Sequence, residues 1–322
     1  MKCAIVGPVT KYIYSKENSK LLSYKKYKTQ YTEINNESRN VRNDILAFTL
    51  FLQLQYKCLC IVSPPENITH DFLIILNSKI NYEYPPSIQH LFELSKRNPD
   101  PHVLSDFKRK YNDKFKRLRF KEPGEIYHIL FIEKENFELI KKCKKKYMSI
   151  PCIIQTQDEL GEYMVHANSI IFDIKNKKMI RFEPHGKVSL SYNNIKLNKI
   201  MKYFTKIIGY KHYVPPIDFC PLELQYYEQN TEYDAEGGFC LMFSYLFICY
   251  VLDYPDNSLH EIIRKMFLGE NKNLMNTPPN PKKVISREIR LFTNFYIDTI
   301  KQVMPDLIDI LIANLPIEQP EW

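Results

Sequence analysis

The chain has 322 residues, of which 44% are apolar and 13% aromatic, enough to bury one large core or two modest ones, which excludes a disordered or low-complexity polymer. Its formal charge of +8 is unevenly spread: residues 1–150 carry 27 basic against 16 acidic side chains, and residues 151–322 carry 18 against 21. Twenty prolines against eight glycines leave most turns to Pro, Asn and Asp, so the few glycines are informative.

The eight cysteines, Cys3, Cys58, Cys60, Cys143, Cys152, Cys220, Cys240 and Cys249, show no paired CxxC spacing, and no cleaved secretory leader is expected. Reduced thiols are expected, and Cys58 and Cys60 read as two buried thiols of one strand. No His, Cys or Asp cluster has metal-ligand spacing, so neither a metal nor another cofactor is implied. The longest apolar run, "FCLMFSYLFICYVL" at 239–252, is too short for a bilayer core that needs roughly 20 residues, and no membrane span is expected.

In chain order, "VRNDILAFTLFLQLQYKCLCIV" reads as a helix running into a strand that closes at Ser63-Pro64-Pro65. The runs "DFLIILNSKI" and "SIQHLFEL" read as short helices, and "KRNPDPH" interrupts the pattern before a basic segment. That segment, "KRKYNDKFKRLRFK" at 108–121, and "KKCKKK" at 141–146 make 108–146 a candidate contact for nucleic acid or another acidic partner, although neither run has the aromatic spacing of a base-stacking platform. Further on, "EIYHILFI" predicts a strand, "KENFELIKKCKKK" a helix and "SIPCIIQT" a strand. The fold class is α+β, divided into an α/β region over 1–120, with no assignable role, and a second domain over 121–322.

Within the second domain, "MVHANSIIFDI" predicts a strand with a polar break at Asn168-Ser169, "KNKK" a turn, and "MIRFEPHG" a return strand ending at Pro184. In such a hairpin the outer end of one strand lies opposite the outer end of the other, so His166 and Glu183, seventeen positions apart, are expected as neighbours. A carboxylate bonded to one ring nitrogen fixes the imidazole tautomer and makes the other nitrogen a better base. Asp173 is the alternative orienter if Glu183 does not reach, although its place at the turn suits a hairpin cap. His185 and His212 read as structural or surface residues.

A nucleophile for that pair is offered by "EGGFCLMFSYLF": Gly237 and Gly238 precede Cys240 at the predicted start of an apolar helix. Unpaired N–H groups and the helix dipole favour a thiolate there, and the glycines allow close approach of a substrate. A cysteine opening an apolar helix is also a common core residue, so both readings stay open. Beyond it, "PDNS" signals the N-cap of a further helix, and "ISREIRLFTNFYIDTIKQVM" has the three- and four-residue apolar spacing of an amphipathic one.

Taken together, His166 with Asn168 and Asp173, "MIRFEPHG", and "GGFCLMFSYLF" resemble the cysteine peptidases of the adenovirus-endopeptidase and SUMO/ubiquitin-like-protease clan, in the form found in large DNA viruses, over roughly residues 125–315. The resemblance implies a papain-like core, with a central nucleophile helix on a mixed β-sheet. It also implies Cys240 as nucleophile, His166 as base, Glu183 as orienter and Gln225 as oxyanion donor, with Gln229 as second choice. The implied activity is peptidase or isopeptidase cleavage after small, Gly-type residues. The protein substrate would be a ubiquitin-like conjugate or a viral precursor, in a host cytoplasm or virion if the chain is viral and in a cytoplasm otherwise.

This sequence departs from the clan pattern in two places. Ala167 follows the histidine where the clan usually has Trp, and Gln225 precedes Cys240 by fifteen residues rather than six or seven. An alternative alignment puts Glu236 in the nucleophile's place, which implies an inactive interaction or virion protein on the same scaffold. An acyltransferase using the same triad is a further alternative.

Overall fold

The computed structural model describes residues 24–30, 52, 56, 58–61, 72–97, 101–111, 114–157, 163–186, 192–220, 240–268 and 281–303. They form a mixed α+β protein in two compact units. The first comprises residues 1–63, 182–187 and 216–322, and the second 64–181 and 188–215.

The first unit is helical. Its described elements are α1 (Tyr24–Gln30) and β1 (Leu59–Ile61), then, beyond the second unit's residues, a short 3-10 turn at Pro216–Asp218 and α6, α7 and α8, which span Cys240–Asp253, Leu259–Leu268 and Pro281–Val303. Helix α6 is apolar all round, and Met242 through Leu252 are buried, as a helix surrounded by protein must be. It contacts α1, α7 and α8. The cap expected before α7 is present: Ser258 Oγ accepts from the Glu261 N–H at 3.3 Å, and the Glu261 carboxylate accepts from the Ser258 N–H at 2.7 Å. These reciprocal bonds satisfy donors that the helix start otherwise leaves open.

The second unit is built on a mixed sheet. Its strands are β2 (Phe72–Ser78), β3 (Phe115–Glu122), β4 (Ile126–Glu133), β5 (Tyr147–Gln157), β6 (Tyr163–Asp173), β7 (Lys178–Phe182) and β8 (His212–Val214). They lie in the order β3-β4-β2-β5-β6-β7-β8. The β2–β5 and β7–β8 pairs are parallel, whereas β3–β4, β2–β4 and β5–β6 are antiparallel. Helices α2 (Pro86–Arg97), α3 (Pro101–Tyr111), α4 (Lys134–Lys142) and α5 (Asn194–Ile207) complete the unit. Helix α5 begins at an Asn193 side chain that accepts from the Ile195 and Lys196 N–H groups, and ends before Gly209, whose φ of 77° is the left-handed stop glycine favours.

Three local expectations are corrected. "DFLIILNSKI" forms β2 rather than a helix: Phe72 through Leu76 are buried between two partner strands, and a short run that is apolar on every face carries no period to separate the two states. Asn168 and Ser169 do not break the strand, since β6 runs unbroken from 163 to 173 with both side chains buried. Cys58 is exposed while Cys60 is buried, because β1 begins only at Leu59 and Cys58 belongs to the turn before it.

Candidate functional site

In the first unit, Cys240 is the first residue of α6 and is partly exposed, while the turns that follow are buried. The Ser244 hydroxyl donates to the Cys240 carbonyl at 2.8 Å, closing the first turn. Gln225, Gln229, Glu236, Gly237 and Gly238 lie outside the described residues.

Glu183 follows the last residue of β7 and is fully buried. It opens the turn that "EPHG" predicts: the Gly186 N–H bonds to the Glu183 carbonyl at 2.9 Å, and Oε1 accepts from the His185 N–H at 2.9 Å. Gly186 has φ 68°, which permits the tight return. Cys220 is also fully buried in this unit, and burial, followed by the nearby Glu183 charge, pushes its thiol far up. A thiol held neutral in this way is a poor nucleophile. Burial and the Asp253 carboxylate act in the same direction on Cys249.

In the second unit, His166 is buried on β6, where it pairs with Ile154 of β5, and its ring lies 5.9 Å from that of Tyr192. Asp173 takes the hairpin-cap role, its carboxylate accepting from the Asn176 N–H at 3.1 Å and from Asn176 Nδ2 at 2.7 Å. His212 is exposed on β8, and His185 is half-buried beyond β7.

The residues that sequence reasoning missed surround Arg181 on β7, whose side chain is fully buried. Its Nε donates to the Tyr213 hydroxyl at 3.1 Å. Nη1 donates to Asn168 Oδ1 at 2.5 Å and the Tyr192 hydroxyl at 3.3 Å, and Nη2 to Asn194 Oδ1 at 2.8 Å and Asn198 Oδ1 at 3.0 Å. The one available signal was an arginine inside the apolar string "MIRFEP".

Part of the basic segment 108–146 is engaged within the second unit, while Arg119, Lys142 and Lys144 through Lys146 are exposed. Lys114 pairs with Glu133 at 3.0 Å, Arg117 donates to the Tyr82 carbonyl at 2.7 Å, and the Lys116 and Lys141 ammonium groups lie 4.1 and 4.2 Å from the centre of the Phe137 ring. Among the described residues, no group of three or more His, Cys, Asp or Glu side chains is arranged to hold a metal ion, and no helix is long and apolar enough to cross a membrane.

No family model matches the chain. An ankyrin repeat protein of Acanthamoeba polyphaga mimivirus is 25% identical over 205 residues, covering 57% of this chain and 26% of that protein. The chain thus spans about a quarter of that relative's length. Among solved structures, the Legionella pneumophila effector protein RavZ aligns over 77% of this chain and 59% of its own, at a TM-score of 0.29 and 10% identity.

Proposed function

We propose that the chain is a cysteine peptidase or isopeptidase with a papain-like core, cleaving after small, Gly-type residues of a protein substrate. The observation that carries this reading is the position of Cys240: it opens the buried helix α6 and stays partly exposed, while Cys220 and Cys249 are buried and held as neutral thiols. The N–H groups of the first helical turn have no partners within the helix and favour negative charge beside them. The clan-like strings around His166, Glu183 and Cys240 supply the remaining roles.

In the proposed reaction the Cys240 thiol gives its proton to His166 and its sulfur attacks the substrate carbonyl carbon, forming a C–S bond. Gln225 and backbone N–H groups hold the oxyanion. Collapse of the tetrahedral intermediate breaks the C–N bond, and the amine leaves with the proton that His166 returns. His166 then takes a proton from water, the resulting hydroxide attacks the thioester, and the carboxylate product leaves as the Cys240 thiol is restored. Glu183 orients His166 and stabilises its charge. The mimivirus relative accords with a large-DNA-virus setting, and so with action in a host cytoplasm or virion on a ubiquitin-like conjugate or a viral precursor.

Ubiquitin, SUMO and Gly-Gly peptides carrying C-terminal electrophiles test the proposal. The expected result is a covalent adduct with at least one of them, localised to Cys240 by peptide mass mapping and absent from Cys240→Ala. Labelling that persists in Cys240→Ala overturns the assignment. A Cys240 thioester that forms from an acyl donor and is discharged only when an amine acceptor is added identifies the acyltransferase alternative.

A further inference from the structure

The buried network around Arg181 has a geometry that bears on His166. A guanidinium has five N–H donors in a rigid fork, and five hydrogen bonds run from Arg181 to side-chain oxygens on β6, on β8, at two positions of α5 and on Tyr192. Two of these partners belong to the surroundings of His166. Asn168 is two residues along β6 and so shares the strand face of His166. Tyr192 lays its ring 5.9 Å from the imidazole at an interplanar angle of 44°. Its hydroxyl accepts from Arg181 and donates to the same Asn168 oxygen at 3.4 Å.

We infer that Arg181 is a positioning residue for His166, acting through Tyr192 and Asn168. The phenolic end of Tyr192 is held by bonds to the guanidinium and to Asn168, so its ring forms a fixed wall against one side of the imidazole. Asn168 is held by the same Nη1 group, which couples the wall to the strand that carries His166. The guanidinium also grips Asn194 and Asn198 on the first turns of α5 and, through Tyr213, strand β8. The wall is thereby referred to several elements of the sheet rather than to one loop. Side chains that orient a reacting group gain their precision from this kind of support by neighbours with fixed rotamers. The inference rests on the proposed role of His166 as base, but its first consequence, a constrained imidazole, does not.

Tyr192→Phe is the most conservative test, because it keeps the ring and removes only the hydroxyl. Arg181→Lys keeps the charge and removes the fork, and serves as the stronger variant if it folds. The readouts are NMR titration of 13C-labelled histidines, with His166 assigned through His166→Gln, and peptide-resolved alkylation of Cys240. In Tyr192→Phe the His166 resonance and its titration midpoint should move while the other seven histidines stay in place. Alkylation of Cys240 at neutral pH should slow by roughly tenfold, less than the roughly 10²–10⁴-fold that a positioned acid–base group contributes, because the imidazole is displaced rather than removed. A His166 titration identical to the native one in folded Tyr192→Phe overturns the inference. A displaced His166 titration with unchanged Cys240 alkylation supports the positioning role and overturns the coupling of His166 to Cys240.

Discussion

The rings of Phe182 and Phe247 stack at 4.3 Å between centroids and 9° between planes. Both belong to the first unit: Phe182 is the last residue of β7, immediately before Glu183, and Phe247 lies two turns into the helix that begins at Cys240. The proposed orienting carboxylate and the proposed nucleophile are therefore on segments joined by an aromatic contact, which Phe219 extends at 5.6 Å from Phe247.

Phe247→Ala should cost roughly 3–5 kcal/mol, the usual range for emptying a buried aromatic site. Phe247→Leu should cost clearly less, because most of the volume stays filled. Urea denaturation of the purified variants measures both. Equal and small effects would show that the stack carries little of the packing.

Glu288 holds together three helices of the first unit. Its Oε2 accepts from the Tyr24 hydroxyl at 3.0 Å and the Tyr250 hydroxyl at 2.8 Å, and lies 3.6 Å from Lys28 Nζ. Burial, then the Glu288 charge, keeps Tyr24 protonated and able to donate. Glu288→Ala should destabilise by roughly 3–5 kcal/mol, since it takes the counter-charge from a buried ammonium and an acceptor from two hydroxyls, leaving the Tyr24 hydroxyl only the residue 288 carbonyl and Lys28 only the Tyr250 hydroxyl among these bonds. Lys28→Met should cost less, because the carboxylate loses its counter-charge but keeps both hydroxyl donors. A thermal melt of each variant reads the asymmetry, and equal losses would contradict it.

Thiol accessibility yields a third prediction. Cys60, Cys143, Cys152, Cys220 and Cys249 are buried, Cys58 is exposed and Cys240 is partly exposed. Timed alkylation of the folded protein should modify Cys58 and Cys240 well before those five, which should react only after denaturant is added. Early modification of Cys220 would contradict its burial beside Glu183.

His128 gives the fourth. It is buried on β4, its Nδ1 accepts from the Asn77 N–H at 3.0 Å, and its Nε2 lies 3.2 Å from the Glu122 carboxylate, which also binds Lys196. Burial lowers its pKa, against the opposing pull of Glu122. The neutral form is the native one, so the unfolded chain binds the extra proton first. The stability His128 contributes is present above its unfolded value of about 6.5 and is lost as pH falls through the lower folded value. Glu133 and Asp253, both pushed up by burial, act in the opposite sense at lower pH, where protonation relieves them. Denaturant-derived stabilities of His128→Asn, which retains an acceptor near the Nδ1 position, should fall less steeply from pH 7 to pH 5.5 than those of the native protein. Parallel slopes would assign the acid sensitivity elsewhere.

Helices and hairpins with a clear period or a cap were legible in the sequence: α4, the β6–β7 hairpin, the start of α6 at Cys240 and the Ser258 cap all lie where pattern placed them. Strand β2 was not, because five consecutive buried apolar residues carry no period. The network around Arg181 was not legible either. A buried arginine is unexpected on composition, and its partners, Asn168, Tyr192, Asn194, Asn198 and Tyr213, are brought to it by pairing and helix packing that spacing alone does not reveal. Cys58 was misread because a two-residue alternation was extended one position beyond the strand that justifies it.

The central claim is that Cys240 is a nucleophile activated by His166. It is tested most directly by the alkylation rate of Cys240 as a function of pH, resolved by peptide mass in the native chain and in His166→Ala. The account predicts that native Cys240 reacts faster than Cys240 of His166→Ala and that the rise of the profile is displaced to higher pH in the variant. Two superimposable profiles would contradict it.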